Sequence, residues 1–165
     1  MIKHIKCDIF ESGADVICHQ VNCQGAMNSG IAKQVREKYP KVYKEYKRRC
    51  DIYAPQAMLG TAQFVGTMGE YNTPFIGIFN LFGQEKFGYD GKCYTDYNAL
   101  YKCFEKVKES LDKAVTEVKP SYTIAIPYLM ACHRGGGDWN IVYKMIEEVF
   151  DDSDCEVLIC EYNGG

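Results

Sequence analysis

Residues 14–34, ADVICHQVNCQGAMNSGIAKQ, constrain this chain more than any other stretch. The apolar run Val16, Ile17, Cys18 and Val21 is short and largely β-branched, which suits a strand buried on both faces. Small and polar residues follow at once (Asn22, Gln24, Gly25, Asn28, Ser29 and Gly30), and Ile31 then opens a helical pattern. A buried strand turning sharply into a helix is the repeating unit of an open α/β sheet. At such a junction the free N–H groups of the helix amino terminus face the space beyond the strand ends. The stretch therefore predicts an anion site, with phosphate as the first ligand to consider.

The rest of the chain extends this alternation. Residues 2–9 read as a first strand, with Ile2, Ile5, Cys7 and Ile9 roughly alternating with polar residues, and the second strand runs over about 15–21. A helix follows over 30–39 with Ile31, Val35 and Tyr39 on one face. Pro40 opens another, with Val42, Tyr43 and Tyr46 inward and Lys44, Lys47, Arg48 and Arg49 on a solvated outer face. Two β-rich runs, 61–66 and 74–81, flank a Gly/Asn/Thr turn, and a long loop over 82–94 has the length of a functional lid. Thr95 is placed to cap a helix reaching about 118, with Leu100, Phe104, Val107, Leu111 and Val115 inward and Pro120 beyond its end. A strand over 122–126 leads to a second glycine-rich loop, 128–137. Asp138 then caps a helix with Trp139, Val142, Ile146 and Val149 inward, and a last strand over 155–161 precedes a Gly-Gly tail. The order predicts a layered α/β fold with a mainly parallel sheet, one domain over 1–165.

Composition narrows the partners. The net charge is −3 with no evident Lys/Arg stripe, which argues against nucleic acid. No apolar run approaches the roughly 18 residues of a membrane span, and residues 1–10 lack the apolar core of a secretory leader. The nine cysteines are scattered and odd in number, so they read as reduced core thiols of a cytoplasmic protein. No Cys/His cluster has zinc spacing, so no metal is expected.

The two strand–loop–helix junctions, 22–31 and 128–139, are both rich in glycine, which lets backbone approach a ligand closely and clusters N–H groups into an anion nest. Neither contains the P-loop pattern GxxxxGK[ST] or the dinucleotide GxGxxG with its later acidic residue. Two facing nests suit a diphosphate.

Taken together, NCQGAMNSGIA at 22–32 and IAIPYLMACHRGGGDW at 124–139 resemble the two ligand loops of a macrodomain, the ADP-ribose-binding fold, and Cys7-Asp8-Ile9 resembles the Gly-Asp-Ile at the end of that family's first strand. The resemblance covers nearly the whole chain and implies a three-layer α/β/α fold with a central mixed, mainly parallel sheet. It implies that the Asp8 carboxylate and the Ile9 backbone recognise adenine, with Tyr162 as a neighbour. Asn22 would sit beside the distal ribose, and Gly25, Ala26, Met27, Ser29, Gly30 and Ile31 would wrap that ribose and the diphosphate. Met130, Ala131, Cys132, His133, Arg134, Gly135, Gly136 and Gly137 would form the facing phosphate loop, with Asn80 and Leu81 lining the floor. Two positions depart from the pattern. Asn28 stands where related loops often carry Gly, a change that its tolerance of the left-handed conformation permits. His133-Arg134 replaces a small or apolar pair; these side chains either meet a phosphate or point into solvent.

The stretch FNLFGQEKFGYDGKCYTDY at 79–97 is similar to the lid of the ADP-ribose-1''-phosphate phosphatase-like subgroup. That resemblance implies a hydrolase acting at the distal ribose without a cofactor. Hydrolysis of mono-ADP-ribose esters on proteins and non-catalytic ADP-ribose reading are the alternatives. The lysine that some macrodomain hydrolases carry near positions 80–82 is missing, and Lys86 would have to swing in from the lid to replace it. Water-based hydrolysis needs a base or orienting group. His19, Asp90 and Asn22 are the candidates, although His19 also reads as a core residue, Asp90 as a turn residue and Asp138 as a helix cap. Asn22 is singled out because a buried amide needs partners, and ribose hydroxyls supply them.

Overall fold

A computed structural model describes residues 1–70 and 73–162. Six strands form one sheet: β1 (Ile2–Lys6), β2 (Val16–Val21), β3 (Ala62–Gly66), β4 (Gly77–Phe82), β5 (Thr123–Pro127) and β6 (Glu156–Glu161). Their order is β1-β6-β5-β2-β4-β3, with every pairing parallel except that of β3 with β4. The layers are filled by α1 (Gly30–Lys38), α2 (Pro40–Ile52), the short α3 (Pro55–Met58), α4 (Tyr97–Ala114) and α5 (Trp139–Phe150).

Strand periodicity divides the core. Val16, Cys18, Phe79, Leu81, Ile124, Ile126, Val157 and Ile159 point to one face and pack under α4 and α5 with Leu100, Phe104, Val107, Val142 and Ile146. Ile17, Val21, Ile78, Phe82, Ala125 and Leu158 point to the other and meet Val35 of α1 with Val42 and Tyr46 of α2. Residues 16–21 are thus buried on both faces, as expected for a parallel central strand.

The structure differs from the sequence reading at β1, α4 and α3, and β4 starts at Gly77 rather than at 74. β1 stops at Lys6: after the Cys7 N–H bonds the Glu161 carbonyl at 3.0 Å, the chain leaves the sheet and Ile9–Glu11 form a 3₁₀ turn. Asp8 caps that turn, its Oδ1 accepting from the Phe10 N–H at 3.0 Å, and Ile9 is buried within it, which extends the apolar alternation past the end of the strand. The α4 cap is Asp96, which accepts from the Ala99 N–H, and not Thr95; the helix ends at Ala114, leaving Val115 exposed. α3 was not foreseen, because a single turn carries no periodicity. Residues 71–72 of the expected turn and the Gly-Gly tail lie outside the described residues.

All nine cysteines are free. Among the described residues no helix is long and apolar enough to cross a membrane.

Because β5, β2 and β4 are parallel neighbours, the loops after them leave the sheet at one end. These are the two glycine-rich loops and the lid, brought together by topology alone. The core that holds this arrangement can be probed on the opposite side of the sheet from α1 and α2. Phe104 is fully buried, with its ring edge-on to Phe150. Phe104→Ala is expected to lower stability by about 3–5 kcal/mol in urea unfolding.

Candidate functional site

The three loops enclose a cleft of about 460 Å³ over the ends of β5, β2, β4 and β6. Its first wall is the loop from Asn22 to α1. Gly25 and Gly30 take left-handed backbone there, with φ of 78° and 57°. Asn28 does not, so the left-handed position moves to Gly30, and the Asn28 side chain instead accepts from Arg36 at 3.1 Å. Ser29 occupies the α1 cap position without making a capping bond, and the first intrahelical bond joins the Lys33 N–H to the Ser29 carbonyl. The N–H groups of Gly30, Ile31 and Ala32, whose residues line the cleft, therefore precede the helical ladder and suit an anion.

Asn22 shapes this wall from within. Its Oδ1 accepts from the Gln24 N–H at 2.9 Å and lies 2.8 Å from the Tyr46 hydroxyl, while its Nδ2 donates to the Ala26 carbonyl at 2.9 Å. The protein itself supplies most of the partners that this amide needs, leaving one Nδ2 proton for a ligand.

The second wall, 128–137, is held in unusual backbone conformations. Leu129 and Ala131 are non-glycine residues with φ of 64° and 70°, each costing about 1–2 kcal/mol. The Ala131 carbonyl is fixed by the Thr95 hydroxyl at 2.7 Å and the Gly137 N–H at 2.9 Å, and the Gly135 carbonyl accepts from the N–H groups of Tyr94 and Thr95. A Cβ at Gly135 would collide with the Thr95 hydroxyl and the Ala131 carbonyl, so only glycine fits. Thr95 also accepts from Gln20 Nε2 at 3.0 Å, and the same nitrogen donates to Gln84 Oε1 at 2.7 Å, joining β2, the lid and this wall.

Lid residues Phe87, Gly88 and Tyr89 close the mouth, where the Arg134 guanidinium lies 4.7 Å from the centre of the Tyr89 ring. Asp90 is turned outward. It accepts from the Tyr94 hydroxyl at 2.9 Å and the Lys92 N–H, and these bonds hold its carboxyl below the usual aspartate range, which makes it a poorer base. It does not line the cleft, and neither does Lys86.

His19 lies at the floor, 2% exposed, with Nε2 2.6 Å from Asn80 Oδ1. Burial lowers its pKa from 6.5 to about 4, so the ring is neutral at pH 7, and Nδ1 has no hydrogen-bond partner among the described residues. Asn80, its in-register neighbour, and Leu81, on the opposite face of the sheet, are fully buried and do not line the cleft. The remaining expectations divide. Ala26, Ser29, Gly30, Ile31, Met130, Ala131, His133, Arg134, Gly135 and Tyr162 line the cleft, whereas Asp8, Ile9, Gly25, Met27, Cys132, Gly136 and Gly137 do not. Burial pushes the Cys132 thiol up to about 11 and the cleft-lining Cys160 up to about 12, so neither is a thiolate at neutral pH. The sequence reading missed Gln20, Gln84 and Thr95. Polar residues beside a glycine-rich loop were their only sequence signal.

No protein-family model matches the chain. It is 28% identical to an uncharacterised 17.5 kDa protein of the tk-vs intergenic region of Enterobacteria phage T4, covering 98% of this chain and 97% of that one. It is 23% identical to an ADP-ribose 1''-phosphate phosphatase of Aspergillus fumigatus, covering 99% and 96%. It is also 25% identical to a DNA ADP-ribosyl glycohydrolase of Mycobacterium tuberculosis, where all of this chain matches 43% of the longer protein. Among solved structures, the macrodomain of Mycobacterium tuberculosis DarG superposes with a TM-score of 0.79 at 18% identity, over 98% of this chain and 97% of that one. Thermosipho africanus DarTG in complex with ADP-ribose gives 0.76 at 17% identity, over 97% and 41%. The chain has the macrodomain fold.

Two outcomes follow from the geometry. Between pH 6.5 and about 4 the unfolded chain binds a proton at His19 that the native ring refuses, so stability falls as pH falls. The loss amounts to about 3 kcal/mol across that window; urea unfolding at pH 7 and 4.5 is expected to show a smaller loss in His19→Gln. Thr95→Val removes the hydroxyl that fixes Ala131 and is expected to cost about 1–3 kcal/mol in the same measurement.

Proposed function

We propose that the chain is a single cytoplasmic macrodomain that binds ADP-ribose and hydrolyses a group at its distal ribose, with ADP-ribose-1''-phosphate as the favoured substrate. The observation that carries this reading is a neutral histidine at the cleft floor with a nitrogen unpartnered among the described residues, on the strand that leads into Asn22 and the α1 amino terminus. In the proposed pose the first-turn N–H groups of α1 and the Met130–Arg134 backbone hold the diphosphate from opposite walls. The free Nδ2 proton of Asn22 reaches a distal hydroxyl, and His19 Nδ1 accepts a proton from the attacking water. A phosphate dianion beside the ring favours the imidazolium and so raises the low pKa that burial imposes. The name of the fungal relative gives independent support.

Release of ADP-ribose from a macromolecular carrier is the second reading, favoured by the name of the mycobacterial relative. It would use the same end of the cleft.

Titration calorimetry with ADP-ribose is expected to show binding; none at millimolar ligand rejects both readings. Incubation with ADP-ribose-1''-phosphate is expected to release phosphate, whereas release of ADP-ribose from modified protein or DNA alone selects the second reading. His19→Gln is expected to lower kcat by about 100-fold with affinity for ADP-ribose kept within about threefold. Unchanged turnover would remove His19 from the mechanism.

A further inference from the structure

The face of the sheet beneath α2 is apolar apart from three buried side chains in a line, Gln63 on β3, Asn80 on β4 and His19 on β2, which are 6%, 0% and 2% exposed. They are cross-strand neighbours: Gln63 pairs in register with Asn80, and Asn80 with His19. The line ends on the backbone carbonyl of Glu45 in α2.

That carbonyl fixes the direction of every bond in the line, because it has no proton to give. The Gln63 atom 3.1 Å from it is therefore Nε2, and Gln63 Oε1 is turned toward Asn80. An amide oxygen only accepts, so Asn80 presents Nδ2 to it, at 3.2 Å, and turns Oδ1 toward His19. Oδ1 also only accepts, so the His19 nitrogen 2.6 Å away, Nε2, carries the proton. A neutral imidazole has one N–H, and Nδ1 is left as a bare acceptor.

We propose that Gln63 and Asn80 are positioning residues, forming a one-way amide relay that holds the His19 proton on Nε2 and keeps Nδ1 free to accept from the attacking water. This rests on the hydrolase reading above. Water gives a proton to Nδ1 as its oxygen bonds to phosphorus. The bond from phosphorus to the ribose oxygen breaks with its electron pair on that oxygen, which takes a proton from solvent. The imidazolium then returns its proton to water, restoring the neutral ring. With the opposite tautomer Nδ1 would carry a hydrogen and could not take the proton. A buried acceptor without a partner is uncommon and destabilising, so its retention here fits a role in which a ligand or water supplies the donor.

The test needs no substrate for its first arm. In protein labelled with ¹⁵N-histidine, the two ring nitrogens of a neutral imidazole resonate far apart, and the His19 pair is assigned as the one missing from the His19→Gln spectrum. The relay requires the protonated-type signal on Nε2 and the unprotonated-type signal on Nδ1 at pH 7; the reverse assignment overturns it. Gln63→Met removes the anchor while keeping side-chain volume. It is expected to move both His19 signals toward an average of the two tautomers and to lower kcat about threefold or more, with KM held within twofold. Unmoved His19 signals in a folded Gln63→Met protein reject the relay. If that variant does not fold, the wild-type assignment still decides. Should the wild type release no phosphate, the hydrolase reading fails on its own, while the tautomer measurement separately reports whether the relay exists.

Discussion

The cleft depends on the parallel pairing of β2 with β4 on one side and β5 on the other. Parallel strands send their following loops to the same end of the sheet, so three segments far apart in sequence meet without any of them reaching across the molecule. The pairing register does more than gather loops. By setting His19 opposite Asn80, and Asn80 opposite Gln63, it converts backbone hydrogen bonding into an ordered set of side-chain contacts. A slip of β4 by one residue would turn Asn80 to the opposite face, breaking its contacts with His19 and Gln63 together with the core on that strand.

Stability and function are balanced unevenly across the fold. The layer under α4 and α5 is almost wholly apolar and well packed. The cleft, by contrast, holds non-glycine residues in left-handed backbone, a helix start without a side-chain cap, and buried polar atoms, His19 Nδ1 and Gln20 Oε1, that have no partner among the described residues. Such features persist only where surrounding contacts over-determine the conformation. Here Thr95 and the Tyr94 N–H provide that restraint from the lid side.

The alternation of strands and helices, the two glycine-rich junctions and the inward helix faces were legible in the sequence because each follows from local spacing. The functional partners of those loops were not. Thr95 read as a helix cap, since a threonine before an apolar-periodic stretch is what such caps look like; its bond to Ala131 spans 36 positions and has no local signature. Asn80 read as cleft floor because it ends a central strand, yet Gln63 lies beside it and His19 lies between it and the cleft. Asp90 read as a candidate base because a carboxylate in a lid looks available; only the fold reveals that Tyr94 occupies it. Asn22 was found by sequence, but its partners within the loop were not, since the Tyr46 hydroxyl arrives from another helix.

The contact between Arg134 and Tyr89 has a consequence for how an anion would be received. A guanidinium offers two distinct surfaces: a flat face that stacks on aromatic rings and an edge that carries the N–H donors. The Arg134 guanidinium carbon lies over the Tyr89 ring, 4.7 Å from its centre, and a face-on contact there would leave the edge available while restricting the side chain. A phosphate entering the cleft would meet an arginine that has surrendered much of its rotational freedom beforehand. Capture would then carry a smaller ordering cost than at a free surface arginine. Holding the lid to the opposite wall and grasping an anion would be complementary uses of one side chain rather than competing ones.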